Sequence, residues 1–304
     1  MSLSFYSHGK LLITGEYAVL DGALSLATPT RKGQSMTVSP HDGDTLLWTS
    51  RDPDGRIWFE TQFGREELDG GDSASAAHDI RGRLLRILLT ARKLNPEFLS
   101  GNGGFSVETR LEFPREWGLG SSSTLIHNLS QWAKTDPFEL HRLSFGGSGY
   151  DIACAAHSCP LLFQRNNGLP MVQEVRFNPS FARQLYFVHL NRKQDSREAI
   201  AAYRRFNKLR EGFIQEVSGL TRKILVSNTL QEFEKHIEAH EKLLSGILGI
   251  PTIKESLFQD FTGSIKSLGA WGGDFILATV HSQSPEYFAE KGFNTIVHFH
   301  EMVL

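Results

Sequence analysis

The chain has 304 residues, 40% of them hydrophobic and 22% charged, and its formal net charge is −2 at pH 7. This length and composition predict a globular protein of two domains, or of one large domain, that can bury a substantial core. The nearly neutral charge gives no general electrostatic reason to expect a nucleic-acid partner or an anionic membrane surface.

Predicted strands and helices alternate in the first part of the chain. It opens with an apolar run at Lys10–Thr14. Leucine and isoleucine at helical spacing predict a helix over Ala76–Leu94, which ends before a proline. An alternating strand over 105–113 leads through glycines into a helix from about Ser122 to Lys134. Short apolar runs separated by Asp, Gly and Pro predict strands of a meander: residues 36–38, 45–48 and 57–59.

The organisation of the chain changes near Arg183. Beyond it, the patterns predict a strand, two long helices, a strand, a short helix and a last strand, which favours an α+β sandwich. We therefore place a domain boundary there, with domains at 1–183 and 184–304. The later elements are predicted at 185–190, about 196–226, 229–248, 275–280, 285–291 and 295–299.

The cysteines and the first residues of the sequence indicate in which cellular compartment the protein is expected. Cys154 and Cys159 lie in an alanine-rich run, which predicts small buried thiols and no disulfide framework. The first eight residues lack the basic start and apolar core of a signal peptide. No segment reaches the roughly 18 uninterrupted apolar residues of a membrane helix. We therefore expect a cytoplasmic protein with neither a membrane nor a nucleic-acid partner.

The most informative stretch is a glycine-serine run, Pro114–Thr124, between a predicted strand and a predicted helix. Glycines let the backbone come close to a ligand, and the N–H groups at a helix start attract anions. Small hydroxyl side chains there can add hydrogen bonds or a magnesium ligand. The run predicts a phosphate cradle, although a glycine-rich turn capped by serine fits the same spacing.

Two further glycine-rich elements lie later in the chain, at Gly146–Asp151 and Leu268–Asp274. Taken alone, glycines before a strand indicate a tight turn. Phosphoryl transfer needs a backbone cradle for anionic oxygens, a cation, and a carboxylate that orients or deprotonates the attacking group. Lys10 and Asp151 can supply the cation and the carboxylate, so the combination favours phosphoryl transfer.

These elements resemble, in the same order, motifs of the galactokinase, homoserine kinase, mevalonate kinase and phosphomevalonate kinase superfamily, the GHMP kinases. Gly9–Gly22 is similar to the opening of mevalonate and phosphomevalonate kinases. Pro114–Ser123 is similar to the pattern P-x-x-x-G-L-G-S-S, and Gly269–Gly273 to the late G-A-G-G-G loop. The run G-Y-D-I-A within Gly147–Ala153 is similar to that of a bacterial subgroup, whose substrate the resemblance does not decide.

The resemblance implies an α+β, two-domain GHMP kinase fold. Its N-terminal ATP-binding domain would be of the ribosomal-S5 type, and its C-terminal domain ferredoxin-like. It implies that Asp151 accepts or orients the proton of the substrate hydroxyl. It also implies that Lys10 lowers the pKa of that hydroxyl or keeps Asp151 charged. ATP would be bound by Pro114, Gly118, Leu119, Gly120, Ser121, Ser122, Ser123, Gly269, Ala270, Gly272 and Gly273.

The magnesium site is the least defined part of the resemblance. Ser122 would bind Mg²⁺. Many mevalonate kinases place a magnesium-binding Glu eleven residues before the catalytic Asp, where this chain has Leu140 and, one position earlier, Glu139. We therefore predict Ser122 and Glu139 as metal ligands. Without Glu139, Ser122 would share Mg²⁺ with phosphate oxygens and water, an arrangement that this ion tolerates.

Other departures from the family pattern concern the size and polarity of single positions. His8 stands where many relatives have proline, and Ser123 and Thr124 replace alanines. Trp271 occupies a position that is usually small, where it could narrow the substrate end of the site.

A cluster of polar residues on the helix predicted at 229–248 has two interpretations. His236, Glu238, His240 and Glu241 include two histidines four residues apart, a spacing that can hold zinc. Their order differs from the H-E-x-x-H of zinc proteases. We therefore favour a charged face exposed to solvent.

Three more polar residues can have either a structural or a functional role: Glu16, Lys193 and Ser196. Glu16 can orient Lys10 or stabilise a buried turn. Ser196 fits a helix N-cap, and with Lys193 it lies near the predicted domain boundary, where contact with substrate is the alternative.

The expected partner is a small-molecule substrate, and the opening motif favours mevalonate or phosphomevalonate. A kinase of another metabolite, of homoserine or sugar type, is the alternative within enzymes. A non-catalytic ATP-binding regulator is the alternative outside them, although Lys10, Ser122 and Asp151 are all retained. A homodimer is possible, but the sequence does not determine the oligomeric state.

Overall fold

The structure, a computed structural model, divides into two compact units. Unit 1 comprises residues 1–9, 32–115 and 120–156, and unit 2 comprises residues 10–31, 116–119 and 157–304. These extents differ from the predicted domains, 1–183 and 184–304, which stay a prediction. The described residues are 1–70, 79–101, 103–192, 203–204, 210–269, 271, 273–281 and 285–304.

The strands of unit 1 form a mixed sheet in the order β4-β3-β5-β2, in which only the β3–β5 pair is parallel. β1 pairs with β2, and both strands contribute residues to each unit. The strands are β1 (Leu3–Leu12), β2 (Ser25–His41), β3 (Leu46–Arg51), β4 (Ile57–Phe63) and β5 (Gly104–Leu111).

Five helices of unit 1 lie in the described part of the chain, at α1 (Arg65–Leu68), α2 (Ile80–Leu94), α3 (Ser121–Ala133), α4 (Pro137–Ser144) and α5 (Tyr150–Ala156). Apolar side chains at helical spacing on α2 and α3, such as Leu88 and Ile126, join Trp48 of β3 in one buried cluster. Burial of each such side chain stabilises the fold by about 1.5–3 kcal/mol.

Unit 2 contains two groups of paired strands. β6 (Leu161–Asn166) and β7 (Leu169–Glu174) form a hairpin, and β6 also pairs with residues 25–27 of β2. The second group is an antiparallel sheet in the order β11-β8-β10-β9. Its strands are β8 (Leu185–His189), β9 (Ile265–Ser267), β10 (Phe275–Thr279) and β11 (Ile296–His298).

The helices of unit 2 within the described residues have clear boundary signals. Thr229 and Thr252 accept hydrogen bonds from backbone N–H groups as N-caps, and Gly249 ends a helix with a left-handed φ of 66°. The helices are α6 (Arg210–Leu225), α7 (Leu230–Leu248), α8 (Ile253–Leu257), α9 (Glu286–Glu290) and α10 (Phe299–Met302). In the described part of the chain, no helix is both long and apolar enough to cross a membrane.

Most predicted elements are present in the described part of the chain, although some differ in extent and others were not predicted. The helices predicted at 76–94 and 196–226 are seen as α2 and α6, and their first parts fall outside the described residues. β9, α1, α4, α8 and α10 were not predicted, because each is short and lacks a clear period. The exposed face predicted for His240 and Glu241 is wrong, because both side chains are buried in unit 2.

The two cysteines are free thiols, as predicted. Cys154 is buried, whereas Cys159 is only partly buried, so the prediction of burial is wrong for the second thiol.

Candidate active site

The glycine-serine run leads from β5 into α3. After a 3-10 turn at Arg115–Trp117, Gly118 and Gly120 adopt left-handed φ angles of 64° and 90°. Gly120 is the N-cap of α3, which begins at Ser121, one residue before the predicted start. The first N–H groups of a helix have no acceptor inside it, and the aligned peptide dipoles favour an anion there. This backbone can bind phosphate oxygens.

The serines of this run differ in what they can offer a ligand. The hydroxyl of Ser123 is turned to the helix itself, because its Oγ donates to the Gly120 carbonyl at 2.8 Å and the residue is buried. Ser122 is exposed and Ser121 is partly exposed. Ser123 therefore fits the interpretation of this run as a serine-capped turn. Ser122 fits the interpretation as a ligand site, because its side chain is exposed.

Lys10 is bound twice to the glycine-rich run. Its Nζ donates to the Gly118 carbonyl at 2.7 Å, and its backbone N–H donates to the Leu119 carbonyl at 2.9 Å. All three residues belong to unit 2. The structure thus places a lysine cation directly on the segment that enters the predicted phosphate cradle, which sequence separation alone does not reveal.

Asp274 contacts the same segment and was not among the predicted site residues. A Cβ added to Gly118 would lie 2.1 Å from Oδ2 of Asp274, so only glycine fits there. Asp274 itself has a positive φ of 46°, which is rare for a residue with a side chain. In the sequence, a role for Asp274 in the site is indicated by its position directly after Gly273.

The third glycine-rich loop is described only in part. Gly269 has a left-handed φ of 69°, and Gly273 is buried. Ala270 and Gly272, both predicted to bind ATP, lie outside the described residues, as do Lys193 and Ser196.

Asp151 lies in the first turn of α5, in unit 1, with a partly exposed side chain. Its Oδ2 is 3.8 Å from Nε2 of His141, a buried residue of α4. The glycine-rich turn before α5 packs on that ring, since a Cβ at Gly147 would lie 3.4 Å from Cε1 of His141. His141 was not predicted as a site residue, and no local pattern around it would have indicated one.

The predicted magnesium ligands differ in their fit to a metal ion. Ser122 offers an exposed hydroxyl, whereas the Glu139 carboxylate accepts two hydrogen bonds from Arg142, at 2.5 and 2.8 Å, on an exposed helix face. These bonds lower the pKa of Glu139. No group of three or more His, Cys, Asp or Glu residues in the described ranges could hold a metal. Mg²⁺ can instead keep several waters and phosphate oxygens as ligands.

The opening motif is tied to other parts of unit 2 by a buried cluster of charges, the Glu16 cluster, which consists of Glu16, His240, Glu241 and Lys266. Lys266 Nζ donates to Glu16 Oε1 at 2.5 Å and to Glu241 Oε1 at 3.0 Å. His240 Nε2 accepts a hydrogen bond from the Gly15 N–H at 3.1 Å. Glu16 therefore stabilises a buried turn, one of its two predicted roles.

Burial shifts the protonation of this cluster. It raises the pKa of Glu16 from 4.5 to about 7, although the Lys266 charge opposes the rise, and it also raises the pKa of Glu241. Burial, and then the Lys266 charge, lower the pKa of His240 well below its usual range. His240 is therefore neutral, and the cluster is electrically neutral when one carboxyl group holds a proton.

Comparison with solved structures identifies the fold. The structure superposes on the mevalonate kinase of Methanococcus jannaschii with a TM-score of 0.72, over 97% of each chain at 14% identity. It matches the Streptococcus pneumoniae phosphomevalonate kinase, solved with phosphomevalonate and AMPPNP, with a TM-score of 0.68 over 95% of each chain at 18% identity. The chain has the GHMP kinase fold.

Other members of this fold are also similar. The Lactococcus lactis galactokinase, solved with galactose, matches with a TM-score of 0.62 at 14% identity, over 92% of this chain and 85% of that one. No protein-family model and no curated protein matches the sequence. The predicted α+β GHMP kinase fold is confirmed, and at such identities the likeness establishes the fold alone.

Proposed function

We propose that this GHMP-fold protein is an ATP-dependent small-molecule kinase that transfers the γ-phosphoryl group to a small anionic alcohol or phosphate. The observation that carries this proposal is the attachment of Lys10 to Gly118 and Leu119, the residues that precede the N-cap of α3 in the chain. A cation beside backbone N–H groups suits a polyphosphate, whose charge increases at the leaving group during transfer.

In the proposed reaction, Asp151, Lys10 and the start of α3 have separate roles. The acceptor oxygen attacks the γ-phosphorus, and when that oxygen belongs to a hydroxyl group, its proton passes to the Asp151 carboxylate. The bond from the γ-phosphorus to the β–γ bridging oxygen breaks, and ADP leaves with that electron pair. Lys10 would stabilise negative charge on the phosphates, and the N–H groups at Ser121 and Ser122 would hold their oxygens.

We place Mg²⁺ on the hydroxyl of Ser122. When bound, this ion neutralises phosphate charge in the transition state. The exposed Ser122 side chain supports this assignment. The double hydrogen bond from Arg142 argues against Glu139 as a second ligand.

We assign the acceptor to the class of mevalonate or phosphomevalonate. The opening motif Gly9–Gly22 supports this assignment, as do the fold matches to a mevalonate kinase and to a phosphomevalonate kinase. Sugar acceptors remain the competing class, because a galactokinase also shares the fold.

An ADP-release assay tests the proposal, with Mg·ATP and a panel of mevalonate, phosphomevalonate, homoserine and galactose. We expect turnover with one of the first two. Asp151→Ala should lower kcat by on the order of 10² or more without weakening ATP binding, since it removes the general base. Asp44→Ala, at an exposed aspartate, is the matched control and should leave kcat unchanged.

The other outcomes separate the alternatives. Transfer to homoserine or galactose would retain the kinase but overturn its acceptor class. ATP binding, measured by calorimetry, without transfer to any acceptor would favour a regulatory ATP-binding protein.

A further inference from the structure

The opening motif contains a strained turn centred on Tyr17. Tyr17 has φ 59° and ψ −45°, and the Ala18 N–H donates to the Glu16 carbonyl at 2.6 Å. These angles and this bond between residues i and i+2 define the γ-turn with positive φ, which is rare and strained. Such a conformation persists only where its surroundings hold it, and it occurs preferentially at functional sites.

Side chains of the turn reach the segment that carries the third glycine-rich loop. The Tyr17 hydroxyl accepts a hydrogen bond from the Trp271 backbone N–H at 2.7 Å, and both residues are buried. Glu16, the preceding residue, accepts from Lys266, whose Nζ also donates to the Ser267 carbonyl at 2.6 Å. The turn therefore contacts this segment at both sides of Gly269.

Helix α7 also binds Lys266 and Ser267, through Glu241. Glu241 accepts hydrogen bonds from Lys266 and from the Ser267 hydroxyl, the latter at 2.9 Å. Gly15, with φ 89°, has no room for a side chain, because a Cβ there would lie 2.0 Å from Ser25 Oγ. The γ-turn is thus fixed on several sides, and its strain can be maintained.

We propose that the γ-turn at Glu16–Ala18 is a clamp that holds the backbone at Ser267 and Trp271 in the conformation that binds ATP. Glu16 and Tyr17 are positioning residues, which act through the backbone at Ser267 and Trp271. The inference rests on the proposed kinase function, since that function gives the third glycine-rich loop its role in nucleotide binding. Without the clamp, the backbone at Trp271 populates other conformations, and the apparent affinity for ATP falls with the fraction of molecules in the binding conformation.

The decisive variant is Tyr17→Phe, which deletes the acceptor of the Trp271 N–H and keeps the aromatic ring. The matched control is Tyr203→Phe. Tyr203 stacks on Tyr17 with ring centroids 6.1 Å apart, and its hydroxyl donates to Asp21 at 2.6 Å. Each variant loses a hydroxyl group from the same aromatic cluster, and in Tyr17→Phe the lost hydroxyl is the one that binds the Trp271 N–H.

Two readouts are needed, amide hydrogen exchange of the peptide that contains Trp271 and the Kd of Mg·AMPPNP by calorimetry. For Tyr17→Phe we expect faster exchange at Trp271 and a Kd raised about tenfold, the effect of one lost hydrogen bond to a buried N–H. The KM for ATP should rise in parallel, while kcat changes less than about threefold. Tyr203→Phe should change neither the exchange at Trp271 nor the KM.

Each contrary result has its own meaning. Unchanged exchange in Tyr17→Phe would overturn the clamp, whatever the activity. Faster exchange with unchanged Kd, in a protein that binds AMPPNP normally, would overturn the positioning role and leave the kinase intact. A wild-type protein that binds no AMPPNP would overturn the proposed function together with the role of the loop. A lower kcat with unaltered KM in both variants would indicate a loss of folded protein and no clamp.

Discussion

The charge state of the Glu16 cluster can be measured through the pH dependence of stability. The carboxyl of Glu16 is fully buried beside one lysine and a second carboxyl group. Its Oε2 atom has no hydrogen-bond partner among the residues that the structure describes. A buried anionic oxygen in that position is costly, so the protonated form is favoured in the folded protein. Glu16→Gln imitates this form at every pH.

The size of the effect follows from the raised pKa. Each tenfold change in an acid constant corresponds to about 1.4 kcal/mol, so a rise from 4.5 to about 7 favours the folded protein with protonated Glu16 by about 3 kcal/mol. This contribution is fully present below pH 4.5, the unfolded value, and is lost as the pH rises through 7. Most of it, about 2–3 kcal/mol, should disappear between pH 5 and pH 8.

The assay is urea unfolding of the wild type and of Glu16→Gln at pH values from 5 to 8. The difference in free energy of unfolding, wild type minus variant, should fall by about 2–3 kcal/mol across this range. Taking the difference removes groups that titrate alike in both proteins. Glu108→Gln, at an exposed glutamate paired with Arg51, is the matched control for the exchange of a carboxylate for an amide. A difference for Glu16→Gln that is flat, or that grows with pH, would refute the buried neutral carboxyl.

Two further predictions concern the glycine-serine run and its metal. Gly118→Ala should raise the Kd for Mg·ATP at least tenfold, because its Cβ would lie 2.1 Å from Asp274 Oδ2 and must displace the loop. Gly55→Ala carries the same left-handed strain in open space and should leave that Kd unchanged, so equal effects in calorimetry would count against the packing argument. Ser122→Ala should raise the Mg²⁺ concentration needed for half-maximal activity several-fold, whereas Glu139→Gln should not, since Arg142 already engages that carboxylate. A Mg²⁺ titration of ADP release checks both, and a shift in Glu139→Gln alone would reverse the ligand assignment.

Local patterns of the sequence predict much of the fold and the chain segments of the site. The helix at 229–248 has helical periodicity and a threonine cap, and it appears as α7 with Thr229 as N-cap. The glycines and serines at 118–122 lie where α3 begins, because their conformational and capping preferences are local. Such elements depend on neighbours within a few residues.

The buried cluster could not be predicted in the same way. Glu16 and Lys266 are 250 residues apart in the chain, and each side chain alone is typical of a protein surface. Only the tertiary pairing makes their burial acceptable. The same holds for Asp274 against Gly118 and for His141 against Asp151, where the partner defines the role.

The retention of buried charges raises the question of what they contribute, since buried ion pairs are often no more stabilising than apolar side chains of similar volume. In this cluster, two hydrogen bonds end on the backbone of the motif segments, from Gly15 to His240 and from Lys266 to Ser267, so these polar side chains determine conformation. We therefore expect the triple variant Glu16→Leu/Glu241→Leu/Lys266→Met to fold with a free energy of unfolding within about 2 kcal/mol of the wild type, or above it.

The same triple variant should bind Mg·AMPPNP at least tenfold more weakly, because Ser267 is no longer held. Urea unfolding and calorimetry on one preparation separate the two properties. Retained stability with retained affinity would show that apolar packing at these positions is sufficient. It would remove the reason for assigning a positioning role to Glu16.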